Sequence, residues 1–421
     1  MSRKSLSFIV VLLIILVLGV SGVLIARKYI AENLTNKGDS LFVEKKYSEA
    51  YKLFEKAHAW YGKSSRALLG MGQAGYHLGR YEEAFSNINA AIALDSLQKT
   101  AYFYRGLLDF KRDQKEAAIS DLTRAIGMDT LYAQAYYQRG LVKASLADFK
   151  GSVEDYRKSI ELDKENIEAY LQSIQAKSAM DDYKGAIADY DQLLSVDLNN
   201  EEAYVNRGYL LLNINDLDGA LADFSKALSI NPENVDVVFN RGSVYAKKGD
   251  FNAAVKDFTS AIRKNHKTGK AHYNRALCHM NLRKLDDAVK DLQVVTTLEP
   301  DNADAFLTLG VISSMKQDFT GSIPYYDKAI AINPDYAEAY FNRGVSKGNQ
   351  NLHRDAIPDY DKAIALKKNY AEAYYSRAVS ELNTQQPRPA CEDLHKASNL
   401  GFKAADELIA IHCSQTAGTV N

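Results

Sequence analysis

A 34-residue period constrains this chain more than any other feature. Glycine or alanine recurs at Gly38, Gly72, Gly106, Gly140, Gly208, Gly242, Ala276, Gly310, Gly344 and Ala378, and the one skipped beat is Ile174. A second small residue follows twelve positions later in most units, as at Ala50, Ala84, Ala220 and Ala356, and a third seven beyond it, as at Ala57, Ala91, Ala227 and Ala363. No insertion or deletion breaks the register. Self-similarity at this spacing marks stacked supersecondary units, none of which can bury its apolar faces alone.

Within a unit, apolar residues recur at helical spacing. In 337–370, Tyr340, Gly344 and Lys347 mark one stripe of a first helix, while Ala356, Tyr360, Ala363 and Ile364 mark the inner face of a second. Short breakers separate the two, such as Gly348 to Leu352 and Gly249–Asp250. Asn231-Pro232 and Asn333-Pro334 end the second helix, because proline disfavours helix in the residue before it. Each unit therefore reads as a helical hairpin. Glycine inside a helix costs about 1 kcal/mol relative to alanine, so its recurrence calls for close backbone approach.

These residues resemble the tetratricopeptide repeat family, whose unit has an aromatic at position 4, Gly or Ala at 8, Ala at 20, an aromatic at 24, Ala at 27 and often Pro at 32. Counting from Ala31 sets eleven repeats without a gap. The resemblance implies an all-α, right-handed superhelical solenoid of helix-turn-helix repeats with a C-terminal capping helix. The expected layout is a cytoplasmic tip and transmembrane anchor in 1–30, repeats over 31–404, and the end of the capping helix with a flexible tail in 405–421.

Two departures from the family pattern stand out. Position 7 is arginine rather than leucine in seven repeats: Arg105, Arg139, Arg207, Arg241, Arg275, Arg343 and Arg377. Each of these repeats has aspartate at position 23: Asp121, Asp155, Asp223, Asp257, Asp291, Asp359 and Asp393. Among the other four, only Asp189 keeps the acid. The joint variation predicts an ion pair between the two helices of each hairpin, with a forked guanidinium on a carboxylate. Second, repeat five (167–200) has Ser173, Ile174 and Leu193 where most repeats have Arg, Gly and Ala. A branched side chain at the tight contact predicts a local irregularity there, dividing the array into blocks of four and six.

From Phe8 to Ala26 run nineteen uncharged residues, about 28 Å as a helix and close to the hydrocarbon thickness of a bilayer. They predict a signal-anchor helix; cleavage after Gly22 is the alternative. Basic residues flank both ends, so charge alone leaves orientation open. No glycine or proline lies between Gly22 and Gly38, so the membrane helix either continues into the first repeat or breaks near Lys28. Without the four basic residues of 1–30, the formal charge of −1 becomes about −5 for the body. A mildly acidic body argues against nucleic acid as a partner.

Cys391 and Cys413 lie symmetrically about a turn at Gly401–Phe402, so an antiparallel hairpin would bring them within disulfide reach. Such a bond staples the capping helix and favours an exported body, on the periplasmic side of a bacterial inner membrane, over a cytosolic one. Cys278 reads as a buried small apolar residue.

In the family, the first helices line a concave groove. Its expected peptide-binding residues here are Asn206, Asn240, Asn274 and Asn342 at position 6, Phe239, Tyr273 and Phe341 at position 5, and Leu277 at position 9. Carboxamides supply both donors and acceptors for a peptide backbone. The alternative is that the asparagines face water and the aromatics pack between helices. Position 9 has no asparagine, which argues against the chaperone-tail clamp of some family members. The histidines lack metal-ligand spacing, His272 reads as a core residue, and neither a nucleophile elbow nor a phosphate loop occurs. No catalytic residue, metal or cofactor is expected. The reading is a membrane-anchored scaffold binding a partner polypeptide, oligomeric state open. Alternatives are a receptor or chaperone-like holder in secretion or import, and a non-catalytic subunit of a larger membrane assembly.

Overall fold

The computed structural model describes residues 3–413, and for 3–20 the backbone only. Among these residues 23 helices follow one another without a strand. The chain forms two compact units, Met1–Ala203 and Tyr204–Asn421. The first holds repeats one to five and the second repeats six to eleven with a terminal helix, Ala404–His412. The expected flexible tail, 414–421, lies outside the described residues.

The first helix, α1, runs unbroken from Arg3 to Val43, so the junction near Lys28 is helical and the end of α1 serves as the first helix of repeat one. Among the described residues no helix is long and apolar enough to cross a membrane. Of the expected anchor Phe8–Ala26, the side chains of residues 8–20 lie outside that description.

Local signals fix the hairpins. Asn166, Asn234 and Asn302 cap first helices by accepting from the backbone N–H three residues on, at 3.0–3.2 Å. Asp148, Asp182, Asp250 and Asp318 do the same for second helices at 2.8–3.0 Å. Such caps satisfy donors that the first turn leaves orphaned. Between the helices, one residue per repeat takes the left-handed conformation. The series runs from Lys45 and Gly79 through Asp113, Ala147, Asp181 and Asn215 to Gly249, Arg283, Gln317, Asn351 and Gln385. Only Gly79 and Gly249 advertise this in sequence, because glycine is the residue with no side-chain penalty there.

The hairpin core explains the small-residue beat. A methyl group built on Gly310 would stand 2.5 Å from the ring of Tyr326, and one on Gly140 2.6 Å from Tyr156. Both rings are fully buried. Phe54, Phe224, Phe258 and Tyr360 stand in the same relation to Gly38, Gly208, Gly242 and Gly344. Where alanine replaces glycine, at Ala276 and Ala378, the residue sixteen positions on is the smaller Leu292 or Leu394. Alanine is thus paired with leucine rather than with a ring, although glycine also faces Ile88 and Leu122 in repeats two and three.

Repeat five is the last repeat of the first unit, whose boundary at Ala203 follows it directly, and Ile174 and Tyr190 are both buried there. The site is rebuilt around Asp189. Ser173 Oγ donates to its carboxylate at 2.6 Å, and Lys177 Nζ lies 2.7 Å away.

Gly310→Ala should lower stability by about 1–3 kcal/mol despite alanine's better helix propensity, because the Tyr326 ring cannot withdraw. Gly127→Ala, on an open helix face with nothing within 4 Å, should be neutral or stabilising by up to about 1 kcal/mol. Urea titration of both variants distinguishes packing from propensity.

Candidate protein-binding groove and its supporting ion pairs

All seven arginines at position 7 grip the aspartate sixteen residues on. In repeat three, Arg105 Nε and Nη2 donate to Asp121 Oδ2 and Oδ1 at 2.5 and 2.8 Å. Arg139–Asp155 (2.9 and 2.6 Å), Arg207–Asp223 (2.8 and 2.6 Å) and Arg241–Asp257 (2.8 and 2.9 Å) share this two-point geometry. So do Arg275–Asp291 (2.9 and 2.6 Å), Arg343–Asp359 (3.1 and 2.5 Å) and Arg377–Asp393 (2.6 and 2.8 Å). The carboxylates are buried and the guanidinium groups partly so. The hydrogen bonds to Asp121 and Asp257 hold Arg105 and Arg241 charged, raising their pKa values further.

A third contact escapes a reading of single hairpins. The remaining nitrogen, Nη1, reaches back to the second helix of the preceding repeat. Arg105 meets Asn89, Arg139 meets Thr123 and Arg275 meets Thr259, each at 2.9 Å, and Arg241 meets Ser225 at 3.4 Å. Arg343 and Arg377 meet Asp327 and Asp361 at 2.6 Å. Each of these six guanidinium groups therefore ties three helices and two repeats.

Position 11 faces the same carboxylate. Lys143 and Lys347 approach Asp155 and Asp359 at 2.8 Å. In repeat eight His272 Nδ1 lies 2.7 Å from Asp291, giving this histidine a core partner, and His279 is 3.9 Å away, its pKa lowered by burial. Repeat eleven puts an acid there instead. Glu381 is buried, its Oε2 lacks a partner, and burial followed by the charge of Asp393 pushes its pKa up to about 7. Cys278 is buried and its thiol is pushed up to about 11 by desolvation, so it is an inert core residue.

Of the groove residues, Asn206, Asn240, Asn274 and Asn342 are half-buried on the first helices of repeats six, seven, eight and ten. Among the described residues, Asn206, Asn274 and Asn342 have no side-chain partner, whereas Asn240 Nδ2 donates to the Tyr209 hydroxyl at 2.6 Å. Tyr273 and Leu277 are half-buried beside them, the Tyr273 hydroxyl 3.5 Å from Thr308 Oγ1. Phe239 and Phe341 are spent on packing. Phe239 is 9% exposed and meets the ring of Phe258 at 5.5 Å; Phe341 meets Tyr370 at 4.8 Å and Tyr360 at 6.2 Å. Position 5 leans toward the end of its own repeat, which a helical-face count does not reveal. Among the described residues no cluster of three or more His, Cys, Asp or Glu is placed to hold a metal.

At the C-terminus Cys391 and Cys413 are joined, their Cα atoms 5.6 Å apart. The bond ties the terminal helix to the last repeat beside an apolar cluster of Ala390, Leu394, Ala397 and Ala405.

Tetratricopeptide repeat models match 35–99, 133–166, 201–234, 239–303 and 337–370, and a TPR repeat model matches 315–351; together they span more than half of the chain. The chain belongs to the tetratricopeptide repeat family. Among solved structures, it is similar to one described as MamA, with 28% identity, 38% of this chain and 92% of that chain covered, and a TM-score of 0.35. The hetero-tetramer Cut9-Hcn1 of the APC/C matches at 16% identity, covering 90% of this chain and 96% of that one, with a TM-score of 0.42. A tetratricopeptide repeat protein from Parabacteroides merdae matches at 18% identity, covering 59% and 99%, with a TM-score of 0.38. Comparison with the curated proteins finds no match.

Asp257→Ala should cost about 3 kcal/mol by leaving Arg241 partly buried and unpaired, while Arg241→Leu with Asp257→Ala should return to within about 1 kcal/mol of the parent. Denaturant unfolding checks this; equal losses in both would contradict it. Glu381 gives a pH signature. Its raised folded pKa means its contribution is fully favourable below the unfolded value of 4.5 and is lost as pH rises through about 7. Glu381→Gln should therefore stabilise the protein by about 1–3 kcal/mol at pH 8, with the advantage fading toward pH 4.5.

Proposed function

We propose that this chain is a membrane-anchored tetratricopeptide scaffold that binds a partner polypeptide along the first helices of repeats six to ten. The observation that carries this reading is the row of half-buried carboxamides without partners: Asn206, Asn274 and Asn342. Their amide atoms are not among the buried atoms without a partner, so they are open to water, and a peptide group can take water's place with both donor and acceptor bonds. Tyr273 and Leu277 add apolar wall beside them. In this reading the row lies on the concave side of a right-handed superhelix, and an extended segment runs across successive repeats.

The anchor is Phe8–Ala26, with the N-terminal tip cytoplasmic and the repeat body exported. Two features support it: the uncharged length of that segment, and the unbroken α1, which leads from it directly into repeat one. The joined Cys391 and Cys413 favour an oxidising compartment for the body.

A photoreactive benzoyl-phenylalanine in place of Tyr273 should capture a defined partner in intact membranes. Asn274→Ala and Asn342→Ala should each weaken that capture about tenfold, the loss of about 1.4 kcal/mol of hydrogen bonding. Undiminished capture by both variants would remove the groove assignment. In protein denatured without reductant, one of the three cysteines should alkylate, and all three after reduction. Three free thiols at the outset would place the body in a reducing compartment.

A further inference from the structure

The turn after the second helix of repeat one lies beside the base of α1. That helix ends at Trp60, and Tyr61–Gly62–Lys63 carry the chain across to repeat two beside the base of α1. A groove of about 400 Å³ lies between them, lined by Leu24, Ile25, Lys28, Trp60, Tyr61 and Lys63 among others. Its apolar members face water: Leu24 is 51% exposed, Ile25 68% and Trp60 47%. Cations surround it, with Arg27 and Lys28 on α1 and Lys63 on the turn. Nearby, Arg66 is already paired with Asp39 at 2.5 Å, and Glu32 is the acid in the adjoining cavity.

We propose that this turn and the base of α1 dock on an anionic lipid surface, with Trp60 entering the bilayer at head-group depth. The proposal rests on the anchor reading above and deepens it. The uncharged segment ends at Ala26, and Leu24 lies only two residues, about 3 Å of helix rise, inside that end. A side chain sharing a groove with Leu24 and Ile25 therefore sits where the helix leaves the hydrocarbon. Tryptophan and tyrosine favour that zone, with the ring in the interface and the polar edge in water. Lysine and arginine extend from the same level to lipid phosphates. The site thus holds the first hairpin against the membrane and sets the direction in which the repeats leave it.

Trp60 is the single tryptophan of the chain, so its emission reports this site without any substitution. Full-length protein is reconstituted in vesicles of phosphatidylcholine and phosphatidylglycerol, isolated by flotation, and compared in lipid brominated near the glycerol end or near the bilayer centre. Shallow bromines should reduce Trp60 emission roughly twofold, and deep bromines much less, the pattern of an interfacial ring. Lys63→Glu should shift quenching away from brominated phosphatidylglycerol relative to brominated phosphatidylcholine. Flotation with emission quenched by aqueous acrylamide and not by lipid leaves the anchor standing and overturns this proposal. Flotation with Trp60 shielded from both quenchers assigns the groove to a protein surface, a second copy included, and also overturns it. Failure to float defeats the anchor and this proposal together.

Discussion

All hairpins but repeat five share one steric constraint: the side chain at position 24 occupies space that position 8 must leave empty. Phe54, Tyr156, Phe224, Phe258, Tyr326 and Tyr360 each press on a glycine of the facing helix, and leucine stands opposite alanine in repeats eight and eleven. Glycine's helix penalty of about 1 kcal/mol is the smaller term beside burial of a ring, worth about 2–3 kcal/mol. That comparison explains why a poor helix former recurs in the middle of helices.

The guanidinium at position 7 works on a longer scale. Within a hairpin it neutralises a buried carboxylate; through Nη1 it also fixes the preceding second helix. In a repeat array, stability is approximately a sum of unit and nearest-neighbour terms, and this one side chain contributes to both. It also sits beside position 6, so the asparagines proposed to line the groove are held on helices whose spacing is already set. A preorganised row loses less freedom on binding than a mobile one.

Much of this was legible because the chain is its own alignment. The small-residue beat, the hairpins and the joint occurrence of Arg275 with Asp291 can all be read by comparing repeats. The Nη1 partner was not, since position 25 varies among Asn89, Thr123, Ser225 and Asp327, alike only in accepting a hydrogen bond. The left-handed turn residue was hidden by the side chains of Lys45, Ala147 and Arg283, held there by the surrounding hairpin. Helical periodicity places Phe239 on the groove face but does not show how far its side chain leans toward the end of its repeat, where it meets Phe258. In repeat five the contacts of Ser173 and Lys177 with Asp189 were not legible, because they stand in for an arginine that most other repeats share.

The size exchange is tested most directly by a double-mutant cycle at Gly344 and Tyr360. Gly344→Ala and Tyr360→Leu each disturb the contact from one side, while the pair recreates the arrangement of Ala276 with Leu292. The account predicts that the double variant is more stable than the sum of the single losses by at least about 1 kcal/mol. Strict additivity would mean that ring and glycine are not coupled, and the packing rule that organises the repeats would be wrong.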